Sequence, residues 1–125
     1  PQERAEPMAI EGDKSLRRLL DGPEVAQGIT MTANGFYGPQ GRVLRLPLAC
    51  ETLHEKIASF SYKDLKVTNL EMETAGIYGL SKLLGHRACS MNAILANRKL
   101  GSFSKNPQKT IENMIAYVLE KSVLL

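Results

Sequence analysis

The chain has 125 residues, enough for one modest domain with a core of its own. Its apolar content of 43% and charged content of 23% are ordinary for a soluble globular protein. The formal net charge is +3, but the basic residues are scattered and aromatic residues make up only 6%, which argues against nucleic-acid binding. No apolar run reaches the roughly 18 residues that a membrane span needs. We therefore expect a cytoplasmic protein that binds neither nucleic acid nor membrane.

The two cysteines, Cys50 and Cys89, show neither metal-ligand spacing nor a disulfide framework. Both lie among apolar residues, which predicts buried, reduced thiols and no metal site.

The first part of the chain predicts a connector, a helix, a strand and a loop. Residues 1–12 are polar and without periodicity, which is typical of a connector. Asp13 is a good cap for a short helix that follows it, and residues 25–31 alternate as a strand does. Residues 34–42 (NGFYGPQGR) contain three glycines and one proline, which indicates a loop. In α/β folds, a loop at the end of a strand is where ligand contacts lie.

The middle of the chain predicts a helix and a strand. Residues 48–60 have the apolar period of an amphipathic helix. His54 on this helix is interpreted as a surface or helix-packing residue. Residues 67–70 are typical of a short strand.

The last part predicts two helices and a buried strand. Residues 74–84 form a predicted helix that Gly85 ends, and residues 88–96 have the small, apolar pattern of a strand covered on both faces. Asn106 and Pro107 cap and begin a final helix. The apolar residues that these helices should bury are Ile77, Leu80, Leu84, Ile111, Ile115, Val118 and Leu119. Strands alternating with helices predict an α/β layered fold.

Glu71 and Glu73 flank Met72 where a predicted strand turns into a helix. If this run is extended, both carboxylates leave on the same side and suit two neighbouring hydroxyl donors, such as those of a sugar. A solvated acidic first turn, favoured by the helix dipole, explains the same residues and stays open.

Three polar clusters each fall near the end of a predicted strand: Phe36-Tyr37 with Gln40-Gly41-Arg42, Glu71-Met72-Glu73, and Asn97-Arg98. In a layered sheet they could converge on one crevice. Taken singly, Gln40 and Arg42 also fit an exposed loop, and Arg98 fits a partner for a helix C-terminus.

These clusters resemble the type I nucleoside phosphorylases. The Glu71-Met72-Glu73 run, followed by a helix and a strand that ends in Asn97-Arg98, is similar to the ribose side of their site. The 36–42 loop is similar to that of the uracil-specific members. The resemblance runs from about residue 25 to residue 125. It implies a layered mixed β-sheet flanked by helices, seen here as a half-domain.

The resemblance implies a role for each residue on the base side. Gln40 would pair its amide with uracil, and Arg42 would donate to the other carbonyl. Phe36 would line the base and sugar pocket, and Arg98 would close over the base.

On the sugar side, Glu73 would hold the ribose 2′- and 3′-hydroxyls with Met72 against the sugar, and Glu71 would act directly or through a neighbour. The implied catalytic residues are Arg42, Arg98 and Glu73. Asn97 lies near the position where purine-cleaving members carry an acid, so its amide favours a pyrimidine substrate.

The implied reaction is reversible phosphorolysis of uridine to uracil and ribose 1-phosphate, with phosphate as co-substrate and no cofactor. The resemblance also implies a homo-oligomer, either a dimer or a hexamer of dimers. The alternatives are a purine nucleoside phosphorylase or nucleosidase of the same family, or a non-catalytic nucleoside-binding or assembly module.

The family's glycine-rich phosphate turn has no counterpart in these residues. We therefore expect residues 1–125 to be the carboxyl-terminal part of a single phosphorylase domain. The isolated chain should not turn over uridine, because it would hold the nucleoside side of the site without the phosphate side. Phosphate-dependent release of uracil, followed by its ultraviolet absorbance, is the measurement that would contradict this expectation.

Overall fold

A computed structural model describes residues 8–98 and 100–125. Most of the predicted connector, residues 1–7, lies outside the described residues, and residues 8–12 contain no helix or strand. In chain order the elements are α1 (Lys14–Leu19), β1 (Ile29–Thr32), a short 3-10 turn (Gly38–Gln40), α2 (Leu53–Ser59), β2 (Ser61–Tyr62), β3 (Leu65–Glu71), α3 (Thr74–Leu83), β4 (Ala96–Asn97), β5 (Ser102–Phe103) and α4 (Pro107–Ser122).

The central sheet has three strands in the order β1-β3-β2. β1 runs parallel to β3, and β2 runs antiparallel to it, so the sheet is mixed. Strands β4 and β5 form a separate antiparallel pair. The predicted combination of a mixed sheet with helices is confirmed.

The helix ends lie where the capping residues predicted them. The Asp13 carboxylate accepts from the Leu16 backbone N–H at 2.9 Å at the start of α1, and the Asn106 side chain accepts from the Lys109 N–H at 3.1 Å at the start of α4. Gly85 follows α3 with a φ of 73°, a left-handed conformation that favours glycine. Capping depends on residues three or four apart, which explains why the sequence was sufficient to predict it.

The predicted strand over residues 88–96 is wrong, apart from its last residue in β4. The Ser90 N–H donates to the Tyr78 hydroxyl at 2.7 Å, and the Ala88 carbonyl accepts from the Asp13 N–H at 2.8 Å. These partners come from a side chain and a loop, and no described strand pairs with residues 88–94, while the Leu95 carbonyl accepts from the Ser104 N–H just after β5. An apolar run cannot form a ladder without a neighbouring strand.

The predicted burial of the helix faces is also largely wrong. Ile77 on α3 is 54% exposed and Leu119 on α4 is 62% exposed, and Ala33, at 6% exposed, is the only buried apolar residue of the described chain. Leu80, Leu84 and Ile115 are likewise exposed, whereas Ile111 and Val118 are half-buried. Periodicity marks an apolar face but does not provide the surface that covers it.

Cys50 and Cys89 are free thiols, but both are half-buried rather than buried. None of the described helices is long and apolar enough to cross a membrane.

The cap at Asn106 provides a test of the described start of α4. Asn106→Ala should lower the free energy of unfolding by about 1 kcal/mol, because it removes the acceptor for the Lys109 N–H. Asn106→Asp keeps an acceptor and should leave the free energy unchanged. Urea denaturation followed by circular dichroism measures both, and equal losses in the two variants would contradict a capping role.

Candidate functional site at the carboxyl ends of two parallel strands

Strands β1 and β3 end next to each other at one edge of the sheet. Thr32 at the end of β1 is the register partner of Glu71 at the end of β3, and the Ala33 N–H donates to the Glu71 carbonyl at 2.9 Å. Because the strands are parallel, the 34–42 loop and the residues after Glu71 leave the sheet at the same edge.

The Glu71 carboxylate is engaged by the protein itself. It accepts from the Thr32 hydroxyl, from the Glu73 N–H at 2.7 Å and from the Thr74 N–H at 2.6 Å. The Thr32 hydroxyl oxygen in turn accepts from the Ala75 N–H at 3.0 Å. Glu71 therefore fastens the end of β1 to the start of α3, where a carboxylate also complements the helix dipole.

Two opposing effects act on the pKa of Glu71. Partial burial raises the pKa, but the hydrogen bonds from Thr32 and from the Glu73 and Thr74 backbone together outweigh it. The pKa of Glu71 is therefore below its ordinary value, and the group is a carboxylate at neutral pH.

Met72 and Glu73 are both exposed, unlike the half-buried Glu71. The Glu73 carboxylate accepts from the Met72 N–H at 3.1 Å, and no other described residue bonds to it. Of the two carboxylates in this run, Glu73 is the one with acceptor capacity left for a ligand.

Gln40 is the most buried polar residue of the described chain, at 3% exposed. Its side-chain oxygen accepts from Arg42 Nη1 at 2.9 Å and from Arg98 Nη2 at 2.7 Å. Arg98 also donates to the Gln40 backbone carbonyl. The alternative that Gln40 is plain loop surface is therefore wrong, and Arg98 binds this loop rather than a helix C-terminus.

Arg42 completes the cluster with the aromatic part of the loop. Its guanidinium lies 3.6 Å from the centroid of the Phe36 ring and donates to the Phe36 carbonyl. Phe36 and Tyr37 pack edge to face with centroids 5.2 Å apart, and both remain about half exposed. The guanidinium and ring thus form a cation–π pair beside Gln40.

The cluster carries two positive charges on Arg42 and Arg98. Within residues 8–98 and 100–125, the ion pairs join Glu11 to Lys14 and to Arg17. Neither Arg42 nor Arg98 forms an ion pair with a described carboxylate. Partial burial and the neighbouring charge of Arg42 both lower the pKa of Arg98, although a guanidinium stays charged at neutral pH. The arrangement therefore favours an anion, or a group on which negative charge develops.

Asn97 precedes Arg98 but has a local role in the structure. Its side-chain oxygen accepts from the Leu100 N–H at 3.1 Å, within the turn that joins β4 to β5.

The structure brings four of the predicted site residues into one contact network: Phe36, Gln40, Arg42 and Arg98. The Glu71–Glu73 run lies at the end of the neighbouring strand, and no described hydrogen bond joins the two groups. Two cavities flank Tyr78, but no predicted site residue lines either one. The described residues contain no cluster of His, Cys, Asp and Glu suited to a metal ion.

Sequence reasoning missed Thr32, which links Glu71 to the first turn of α3. The sequence does show a hydroxyl residue at the end of a predicted strand. That Thr32 contacts Glu71 follows only from the pairing of β1 with β3, which the sequence does not reveal.

Comparison with known proteins identifies the family of the chain. The family model described as the Phosphorylase superfamily matches residues 2–121, nearly the whole chain. The chain belongs to the Phosphorylase superfamily. The superfamily is one of nucleoside phosphorylases, which are pentosyltransferases.

One curated member of the superfamily is a uridine phosphorylase of Thermococcus kodakarensis, which is 34% identical over an 88-residue alignment. That alignment covers 66% of this chain and 29% of the relative, so the chain spans well under two thirds of the relative's length. No solved structure gives a significant match to the chain.

The hydrogen bonds of Glu71 predict a pH-dependent stability. At pH 7, Glu71→Gln should lower the free energy of unfolding by about 1–2 kcal/mol, because an amide offers one acceptor where the carboxylate offers two. Since the folded-state pKa is depressed, this contribution is present above the unfolded-state pKa of about 4.3 and is lost as pH falls through the folded-state pKa. Urea titrations between pH 7 and pH 3 should show the free energies of unfolding of the wild-type chain and of Glu71→Gln becoming equal at low pH. Glu73→Gln, two residues away and exposed, is the matched control, and a gap of the same size in both variants would rule out the anchoring role.

Proposed function

We propose that this chain carries the nucleoside side of a uridine phosphorylase site, for the reversible phosphorolysis of uridine to uracil and ribose 1-phosphate. The observation that carries the proposal is the convergence of Arg42 and Arg98 on the buried amide of Gln40. This group offers hydrogen-bond donors and positive charge beside an aromatic ring, which suits a uracil base. The named relative and the family membership support the same reaction.

Uracil presents two carbonyl acceptors and one ring N–H donor between them. Both acceptor positions of the Gln40 side-chain oxygen are taken by the two arginines when no base is present. Binding of uracil therefore exchanges one partner. Arg42, which contacts Gln40 through one nitrogen, turns to a uracil carbonyl and frees the oxygen for the ring N–H.

Arg98 remains in place during this exchange. It contacts Gln40 at both the backbone carbonyl and the side-chain oxygen, so it keeps the amide oriented while Arg42 moves. Because Arg98 lies next to Gln40, its positive charge is also close to the bound base and attracts negative charge on it.

The chemistry follows from where charge develops. A phosphate oxygen forms a bond to ribose C1′ as the bond from C1′ to uracil N1 breaks, and the sugar passes through an oxocarbenium-like state. The electron pair of the broken bond enters the uracil ring and spreads onto its two carbonyls, and a proton from solvent then neutralises the base. Donors at those carbonyls bind more strongly as the charge grows, so Arg42 lowers the barrier as well as binding the ground state, and the positive charge of Arg98 beside Gln40 adds to the effect.

The ribose lies on the β3 side of the proposed site. Glu73 accepts from the 2′- and 3′-hydroxyls, because its carboxylate is exposed and has spare acceptor capacity. Met72, which is 44% exposed, covers the sugar with its thioether. Glu71 supports both residues by holding the turn that carries them. Phosphate is the co-substrate, and the mechanism requires no cofactor.

Titrations with uracil, uridine and inosine test this assignment on the chain itself, without relying on turnover. Gln40→Ala should weaken both uracil and uridine binding at least tenfold, since it removes the acceptor that orients two charged donors. Glu73→Gln should weaken uridine but leave uracil unchanged, because uracil has no sugar. Chemical-shift titration by NMR measures all of these affinities, including weak ones.

Gln108→Ala is the matched control for Gln40. Gln108 is an exposed glutamine on α4 whose side chain contacts Glu112, and its loss should not alter binding. Preference for inosine over uridine would favour the purine-cleaving alternative, and unchanged binding by Gln40→Ala would remove Gln40 from the site.

A further inference from the structure

Gly41 separates the two residues that the proposed function assigns to the base, Gln40 and Arg42. We refer to these two residues as the base-reading pair. Gly41 has a φ of 74°, in the left-handed region. The Gly41 N–H donates to the Gly38 carbonyl at 2.9 Å, and the Arg42 N–H donates to the Tyr37 carbonyl at 2.9 Å. The direction of each side chain in the pair therefore depends on the backbone at Gly41.

A histidine from a different element contacts this glycine. His54 is the second residue of α2, and its Nε2 lies 3.2 Å from the Gly41 carbonyl oxygen. A carbonyl oxygen is an acceptor only, so the hydrogen of this bond is carried on Nε2. The 34–42 loop thus accepts a hydrogen bond from a residue of helix α2.

The shape of the contact is a second, independent observation. A Cβ added at Gly41 would lie 2.5 Å from His54 Nε2 and 2.9 Å from Cε1. The imidazole therefore occupies the space that any side chain at residue 41 would need. Glycine is favoured here by its φ, and a side chain at this position would displace the imidazole from the Gly41 carbonyl.

The helix that carries His54 packs against the central sheet. Helix α2 lies against β3, the central strand of the sheet, and its half-buried residues Leu53 and Ile57 flank the histidine. On the other side, Arg98 holds Gln40 from the end of β4. The described contacts therefore anchor the loop to the rest of the protein at two points, at Gly41 between the members of the base-reading pair and at Gln40 itself.

We propose that His54 is a positioning residue that holds Gly41 in its left-handed conformation and thereby sets Gln40 and Arg42 in the geometry that reads the base. This inference rests on the proposed function, because it takes the base-reading pair to contact uracil. His54 itself does not contact the base and acts through the Gly41 carbonyl.

The test compares His54→Leu with His54→Gln. Leucine removes the donor, whereas the glutamine amide places an N–H donor at about the position of Nε2. Uracil affinity should fall roughly two- to tenfold in His54→Leu, the range expected for loss of one hydrogen bond, and should recover in His54→Gln. The side-chain amide signal of Gln40 in a 1H–15N spectrum should move in His54→Leu and return in His54→Gln. A residue that only stabilised the fold would change the unfolding midpoint without this pattern.

His86→Leu is the matched control, because the chain has two histidines and His86 lies beyond the end of α3. It should leave both uracil affinity and the Gln40 signal unchanged. Wild-type affinity and an unmoved Gln40 signal in His54→Leu would overturn this inference while leaving the proposed function intact. If the wild-type chain binds neither uracil nor uridine, the proposed function fails, and the base-reading role of His54 fails with it. In that case the Gln40 signal still decides whether His54 holds Gly41.

Discussion

Strands β1 and β3 run in the same direction and end side by side, and the Glu71 carboxylate joins their ends to the start of α3 through the Thr32 hydroxyl and two backbone N–H groups. This interaction determines where the functional segments begin. The loop after β1 and the Glu71–Glu73 run after β3 both leave the same sheet edge, as ligand-binding segments of open α/β sheets do. Glu71 is thus engaged within the protein, whereas Glu73 is exposed, which suits the ribose contact proposed for it.

The base side depends on a different constraint, the cost of burying a polar group without partners. Gln40 is buried, and its single side-chain oxygen is satisfied by two guanidiniums, one from its own loop and one from 58 residues further along the chain. Because both donors are positively charged, satisfying the amide also concentrates positive charge next to an aromatic ring. The contacts that satisfy the Gln40 amide thus also suit the proposed uracil base, which would become negative during bond cleavage.

The apolar faces of α3 and α4 show what pattern analysis omits. Spacing correctly indicates which residues form a stripe, Gly85 correctly indicates where α3 ends, and Asn106 correctly indicates where α4 starts. Burial requires a second surface, and the described residues do not cover Ile77 or Leu119. Residues 88–95 show the same limit of pattern analysis. Their apolar composition suits a strand, but a strand forms only where a neighbouring strand pairs with it.

The sequence by itself determined the helix starts at Asp13 and Asn106, the loop over residues 34–42, the mixed α/β character and the family, because each of these depends on residues close together in the chain or on a motif. Only the tertiary structure decided that Arg98 contacts Gln40, that Glu71 is engaged while Glu73 is exposed, and that His54 packs on Gly41. The contacts of Arg98 with Gln40, of Thr32 with Glu71 and of His54 with Gly41 join separate segments of the chain. Their geometry depends on how strands pair and helices pack, which local propensity and spacing do not specify.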